Sequence, residues 1–145
     1  MNLDPFYPIF DSADWLERML PLGVKLAQLR VKDRPEADVA REIARARKLC
    51  AEAGCVLVIN DYWRLAIAEG CDFIHLGQED LDEADLDAIR AAGLKLGVSS
   101  HDEAELDRAR RTMQAKQERE QEKLQDRIVA ARDKYELAMR AWRAD

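Results

Sequence analysis

The sequence predicts an α/β protein: about five βα units around a parallel sheet, followed by a long C-terminal helix. Three observations predict it. Helix-like runs stop at Gly23, Gly54, Gly70 and Gly93, and a short apolar run follows each glycine within a few residues. Glycine commonly ends a helix in the left-handed conformation, and helices alternating with strands at this spacing read as βα units on a parallel sheet. Next, no glycine follows Gly97 and no proline follows Pro35, so the remainder reads as one unbroken helix. The third observation is length. A complete (βα)8 barrel needs roughly 200 residues or more, so 145 residues predict a partial barrel of that type.

Phe6–Phe10 is a short apolar run and the expected first strand, and Ser12 opens a helix to about Leu20. Val24–Lys32 is the expected second strand. Pro35 then stands where the first turn of a helix tolerates it, and that helix runs to about Ala53. Val56–Asn60 is strongly β-type, with a short helix after it from Trp63 to Glu69. Phe73–Leu76 is the fourth strand, Leu81–Ala92 the fourth helix and Leu94–Ser99 the fifth strand. Ser100 with Glu103 has the spacing of a capping box and is expected to start the last helix.

In that helix Leu106, Ala109, Met113, Leu124, Ile128, Ala131, Tyr135, Ala138 and Trp142 recur in steps of three and four. This is an amphipathic, nearly heptad stripe, interrupted by the polar Gln117 and Glu120. At ~1.5 Å per residue the helix would span roughly 65 Å, far longer than a barrel helix. The expected division is therefore a barrel part over residues 1–109 and a coiled-coil-like extension over 110–145. Projection of the helix followed by self-association into a homo-oligomer is the expected outcome, with a partner covering the open sheet as the alternative.

The formal net charge is -6, and residues 1–100 hold 12 basic and 18 acidic residues against 11 of each beyond them. An acidic α/β part argues against nucleic acid, whose phosphates call for a basic patch. Cys50, Cys55 and Cys71 fit no zinc or CxxC spacing and are expected to be buried, unreactive thiols of a reducing compartment. No apolar run approaches the ~20 residues of a membrane span. Asp4 and two prolines interrupt the start where a leader would need a continuous apolar run. A cytoplasmic protein is expected.

Gln28, Arg30 and Lys32 recur at period two, so a strand would place all three on one face and Ala27, Leu29 and Val31 on the other. Two cations and an amide facing a barrel interior suit a polyanion or a polar heterocycle; a self-satisfied polar network or a solvated edge strand is the plain alternative. Asn60 and Asp61 end the third strand, where active sites of this architecture lie, although an Asx turn starting the next helix has the same residues. In the run His75 to Asp80, Gly77 allows close backbone approach, and Asp80 brings a second carboxylate to the rim. Asp61 and Asp80 together suit Mg2+, which takes one or two carboxylates plus phosphate oxygens; alone, Asp80 is equally a helix cap. His75 is expected to be a packed or hydrogen-bonded histidine rather than a catalyst, and Ser99 alone a turn or cap residue.

Taken together, these positions resemble the thiamine phosphate synthase family. Its Q-x-R-x-K strand looks like Gln28, Arg30 and Lys32, and its strand-end N-D looks like Asn60 and Asp61. Its H-L-G-Q-x-D looks like His75 through Asp80, and its G-V-S-[TS]-H looks like Gly97 to His101. The resemblance implies a (βα)8 barrel that joins a pyrimidine diphosphate to a thiazole phosphate with Mg2+ and releases pyrophosphate. It implies that Asn60 meets the pyrimidine, that Asp61 and Asp80 meet the metal, and that Arg30, Lys32 and Ser99 meet the diphosphate, with Gln28 on the same substrate face. Tyr62 departs from the arginine many members carry after the N-D. The resemblance covers residues 6–109. The family continues with further strands and phosphate loops that hold the thiazole phosphate, whereas here only Thr112, Ile128 and Val129 are β-branched after Ala109. The expected function is thus a transferase carrying the pyrimidine and metal half of the site, incomplete as an isolated chain. The alternative is a non-catalytic diphosphate-binding or helix-mediated assembly protein.

Overall fold

The computed structural model describes residues 2–144; residues 1 and 145, the outer limits of the expected division, lie outside the described residues. Five strands form one sheet: β1 (Ile9–Phe10), β2 (Leu26–Leu29), β3 (Val56–Asn60), β4 (Phe73–Leu76) and β5 (Lys95–Val98). Their order in the sheet follows the sequence and every neighbouring pair is parallel. Helices α1 (Ala13–Met19), α2 (Glu36–Ala53) and α3 (Trp63–Ala68) make the first crossovers. Two short helices, α4 (Gln78–Glu83) and α5 (Leu86–Ala91), make the fourth. A final helix, α6 (Glu103–Ala144), is 42 residues long.

The core lies on one face of the sheet. Ala27, Leu29, Leu57, Ile59, Ile74 and Leu76 point from the strands into a buried cluster with Leu16, Val39, Ile43 and Ala46 of the helices. Alternation therefore sends Gln28, Asn60 and His75 to the opposite, inner face. Gly54 shows how a crossover is ended. Its φ of +66° lets the chain reverse after α2, and the amide of Cys55 donates to the carbonyl of Cys50 at 2.9 Å. That is a Schellman end, and the apolar contact that accompanies it is made here by the two buried cysteines. Gly23, Gly70 and Gly93 also have positive φ.

Several boundaries differ from the sequence expectation. β1 is only Ile9–Phe10; the Pro8 carbonyl accepts from the amide of Gln28 at 2.9 Å, and the strand register with β2 begins at Ile9. β2 stops at Leu29, so Arg30 and Lys32 lie on the loop beyond it rather than within a strand. The expected single fourth helix is two. The backbone turns extended at Ala84 (ψ 141°), and the Asp85 carboxylate starts α5 by accepting from the amide of Ala88 at 3.0 Å. The cap of α6 is also shifted from Ser100 and Glu103. Asp102 accepts from the amide of Glu105 at 2.8 Å, while Glu105 accepts from the amide of His101 at 2.7 Å. Aspartate next to the first turn competes better for its free amides than a serine two residues upstream.

α6 is anchored over its first half only. Ala109 is 2% exposed, and Lys116 donates to the carbonyls of Leu81 (3.3 Å) and Ala84 (3.0 Å) at the end of α4. Arg108 pairs with Asp82 and Arg90 with Glu120. Leu124, Ile128, Tyr135, Leu137 and Trp142 are all more than half exposed. No helix among the described residues is long and apolar enough to cross a membrane.

Candidate functional site

The strands of this sheet all end on the same side, so residues just past β2, β3, β4 and β5 share one rim. Four of the sequence-predicted positions meet there. Asp61 follows β3 with φ +68°, a left-handed conformation that aspartate tolerates better than most residues. Its amide donates to the carbonyl of His75 at 2.9 Å, which ties the end of β3 to β4. Asp80 sits in the first turn of α4 and folds back toward Gly77, its Oδ2 3.2 Å from where a Cβ on that glycine would stand. A side chain at Gly77 would push this carboxylate away.

The Asp61 carboxyl lies close enough to Asp80 to be acted on by its charge. Although Asp61 is exposed as a residue, crowding of its carboxyl raises it above the usual carboxylate range, chiefly through desolvation and then through repulsion by Asp80. The neighbouring Asn60 amide and the charge of Arg30 oppose that rise. Asn60 is buried at 7% exposure, and Arg30 is close enough to act on both Asp61 and His75. The expected carboxylate pair, amide and one of the two cations are thus gathered at one place. Lys32 is exposed on the loop after β2.

Gln28 stands deeper on the inner face, 4% exposed, with its amide nitrogen donating to the hydroxyl of Tyr7 at 2.8 Å. Among the described residues, Gln28 and Asn60 are the only buried polar side chains, and both face the barrel interior. Ser99 follows β5 and its hydroxyl lies 2.5 Å from Nε2 of His75. Burial lowers the His75 ring below the usual histidine range, and the charge of Arg30 adds to this. Gln78 donates to the carbonyl of Ser99 at 2.8 Å. The parts played by Tyr7 and Gln78 escape sequence reasoning, since each pairs across more than twenty residues; only the glutamine within the His75–Asp80 run carried a signal.

The donor set fits a hard divalent cation. It offers two neighbouring carboxylates, with Asn60 and open rim beside them. Among the described residues no group of three or more His, Cys, Asp or Glu is arranged to hold a metal, so a cation here would draw its remaining oxygens from water or ligand. Mg2+ is commonly held in that way. The three cysteines lie elsewhere, buried at the outer side of the sheet and its N-terminal end. Burial pushes the Cys50 thiol up to about 12 and the Cys71 thiol up to about 11. All three are free and buried, as the sequence predicts.

A family model described as thiamine monophosphate synthase matches residues 6–116. The thiamine-phosphate synthase of Rhizobium etli is 71% identical over 109 residues, 75% of this chain and 53% of that protein. Those of an Enterobacter species and Proteus mirabilis are 54% and 51% identical, covering 70% and 74% of this chain and 48% and 50% of theirs. The chain spans about half the length of the curated relatives it matches. A solved thiamine phosphate pyrophosphorylase from Pyrococcus furiosus superposes with a TM-score of 0.63 at 24% identity. It covers 73% of this chain and 55% of the other, and it supports the fold.

Proposed function

The chain belongs to the thiamine monophosphate synthase family, and from that premise we propose that its rim binds a hydroxymethylpyrimidine diphosphate for transfer to a thiazole phosphate. The bond from the pyrimidine methylene carbon to the diphosphate oxygen breaks, its electron pair leaving with pyrophosphate. A thiazole nitrogen lone pair then forms the new carbon–nitrogen bond. The observation that most supports this reading is the meeting of Asp61 and Asp80, from different strand ends, beside Asn60 and Arg30.

In this proposal Asp61 and Asp80 hold Mg2+. Bound there, the ion supplies charge neutralisation of a diphosphate leaving group. Arg30 and Lys32 add positive charge for the diphosphate oxygens, Ser99 supplies a hydroxyl to them, and Asn60 and Gln28 offer amides to the pyrimidine. Preorganised donors and charges of this kind are the usual source of leaving-group stabilisation. Residues 1–109 carry these groups. Residues 110–145 are proposed as a separate extension, since α6 supplies no strand end or phosphate loop for a second phosphate. The same proposal places the chain in the cytoplasm.

The test is turnover of pyrimidine diphosphate and thiazole phosphate with Mg2+ by the purified chain, run beside calorimetry of diphosphate binding. Mg2+-dependent binding with little or no product is expected, because catalysis needs both substrates in a near-attack geometry. No Mg2+-dependent binding would overturn the site. Robust multiple turnover would overturn its incompleteness and mean that α6 or a second copy finishes it. A second reading, a diphosphate-binding or helix-mediated assembly protein, is favoured by the exposed apolar positions of α6, Leu124 to Trp142. Both readings include a homo-oligomer formed through that helix.

A further inference from the structure

We propose that His75 is the positioning residue for Ser99: its ring Nε2–H donates to the serine oxygen and turns the serine hydroxyl proton outward to an anionic oxygen of the ligand. This rests on the reading of the rim as a diphosphate site. The two atoms are 2.5 Å apart, across β4 and the end of β5. Gly97 is the partner of His75 in the strand register, and Nδ1 of the ring lies 3.1 Å from where a Cβ on Gly97 would stand. The one hydrogen bond of the ring among the described residues is the Nε2 contact to Ser99. The 2.5 Å contact admits either ring tautomer; an anionic oxygen at the rim selects the one with the proton on Nε2, where it makes the bond to Ser99.

A hydroxyl has a single proton. When its oxygen accepts from the histidine, that proton is free to be donated elsewhere. The rest of Ser99 is fixed: its amide donates to the carbonyl of Leu76 at 3.1 Å, and its carbonyl accepts from Gln78 at 2.8 Å. The free hydroxyl proton thus has a defined direction. A donor aimed at an ionised oxygen makes a shorter and stronger bond than one aimed at a neutral acceptor. The reverse arrangement, serine donating to the ring, would leave the rim an acceptor that repels a diphosphate. Gly97 is part of the device, because any side chain there would displace the ring.

Two measurements test this. The chain has two histidines, so ring nitrogen NMR of the unaltered protein reports His75 directly. A protonated Nε2 is expected; an unprotonated Nε2 with the proton on Nδ1 overturns the proposal. Calorimetry with inorganic pyrophosphate and Mg2+ is the second. Ser99→Ala and His75→Phe should each weaken binding about tenfold, the cost of one charge-assisted bond. The double variant should lose no more than about twofold beyond either single one, because the two residues act through one bond. His75→Gln, whose amide nitrogen reaches the same place, should regain most of the loss. Thermal melts of each variant establish that it is folded. Losses that add in the double variant, or no rescue by glutamine, overturn the proposal alone. No pyrophosphate binding by the unaltered chain overturns the diphosphate reading and this proposal with it.

Discussion

Asp61 concentrates the conflict between folding and binding in one residue. Its backbone is left-handed, at φ +68°, and its carboxyl is raised by desolvation and by Asp80. A folded-state pKa above the unfolded value means that the native state holds the proton longer. The associated stability is present below the ordinary carboxylate value of about 3.9 and is lost as pH rises through the raised folded value. Asp61→Asn cannot ionise and keeps a residue that tolerates the left-handed region. In the absence of divalent cation its stability relative to the parent should therefore improve between pH 4 and pH 7. Thermal melts across that range check it; a parallel pair of curves would show that Asp61 pays no such cost. Asp61→Ala should fall below Asp61→Asn by about 1 kcal/mol, since alanine is strained in that conformation. In both variants Mg2+-dependent pyrophosphate binding should weaken far more than folding does.

At the scale of elements, the rhythm of the sheet was legible because it is local. A helix that ends at glycine, followed by Val56–Asn60 or Phe73–Leu76, announces itself within ten residues. So did the order of the rim residues, since strand alternation and strand ends fix Asn60, Asp61 and Asp80 without knowledge of their partners. What could not be read depends on distant chain. The fourth helix breaks at Ala84 where Lys116, more than thirty residues later, donates to the carbonyls that end α4. β2 ends at Leu29, where its register with both β1 and β3 stops. Lys116 is the strongest polar tie between α6 and the sheet's helices, since the exposed Arg90–Glu120 and Arg108–Asp82 pairs are worth little. Lys116→Ala should cost about 1–2 kcal/mol through two unpaired carbonyls, lowering the thermal midpoint by about 5 °C. A chain ending after Gln121 should hold its midpoint within about 3 °C at dilute concentration, because among the described residues the hydrogen bonds and ion pairs that tie α6 to other elements end at Glu120. Equal losses from the two changes would mean that the distal helix supports the fold.

The whole molecule leaves two surfaces uncovered. β1 pairs only with β2, and β5 only with β4. Such edges offer unpaired amides and carbonyls to another chain. The other surface is the distal half of α6. Taking Ile128, Ala131, Tyr135, Ala138 and Trp142 as the seam, the charged flanking positions are Arg127, Arg132 and Lys134, all basic. A second copy would therefore bring apolar residues together with like charges beside them. Hydrophobic burial at the seam is insensitive to screening, whereas repulsion between exposed charges falls once the Debye length contracts from about 10 Å at 0.1 M to about 3 Å at 1 M. If the helix mediates the expected self-association, oligomerisation should strengthen as salt is raised. Pairing through polar sheet edges should not respond in that way. Light scattering across a concentration series at low and high salt separates the two. Replacing Ile128, Tyr135 and Trp142 with glutamine should abolish the salt-promoted species and leave the α/β part folded. A monomer at every concentration and salt would defeat the expectation. It would leave α6 as a solvated helix whose length serves something other than a second copy of this chain.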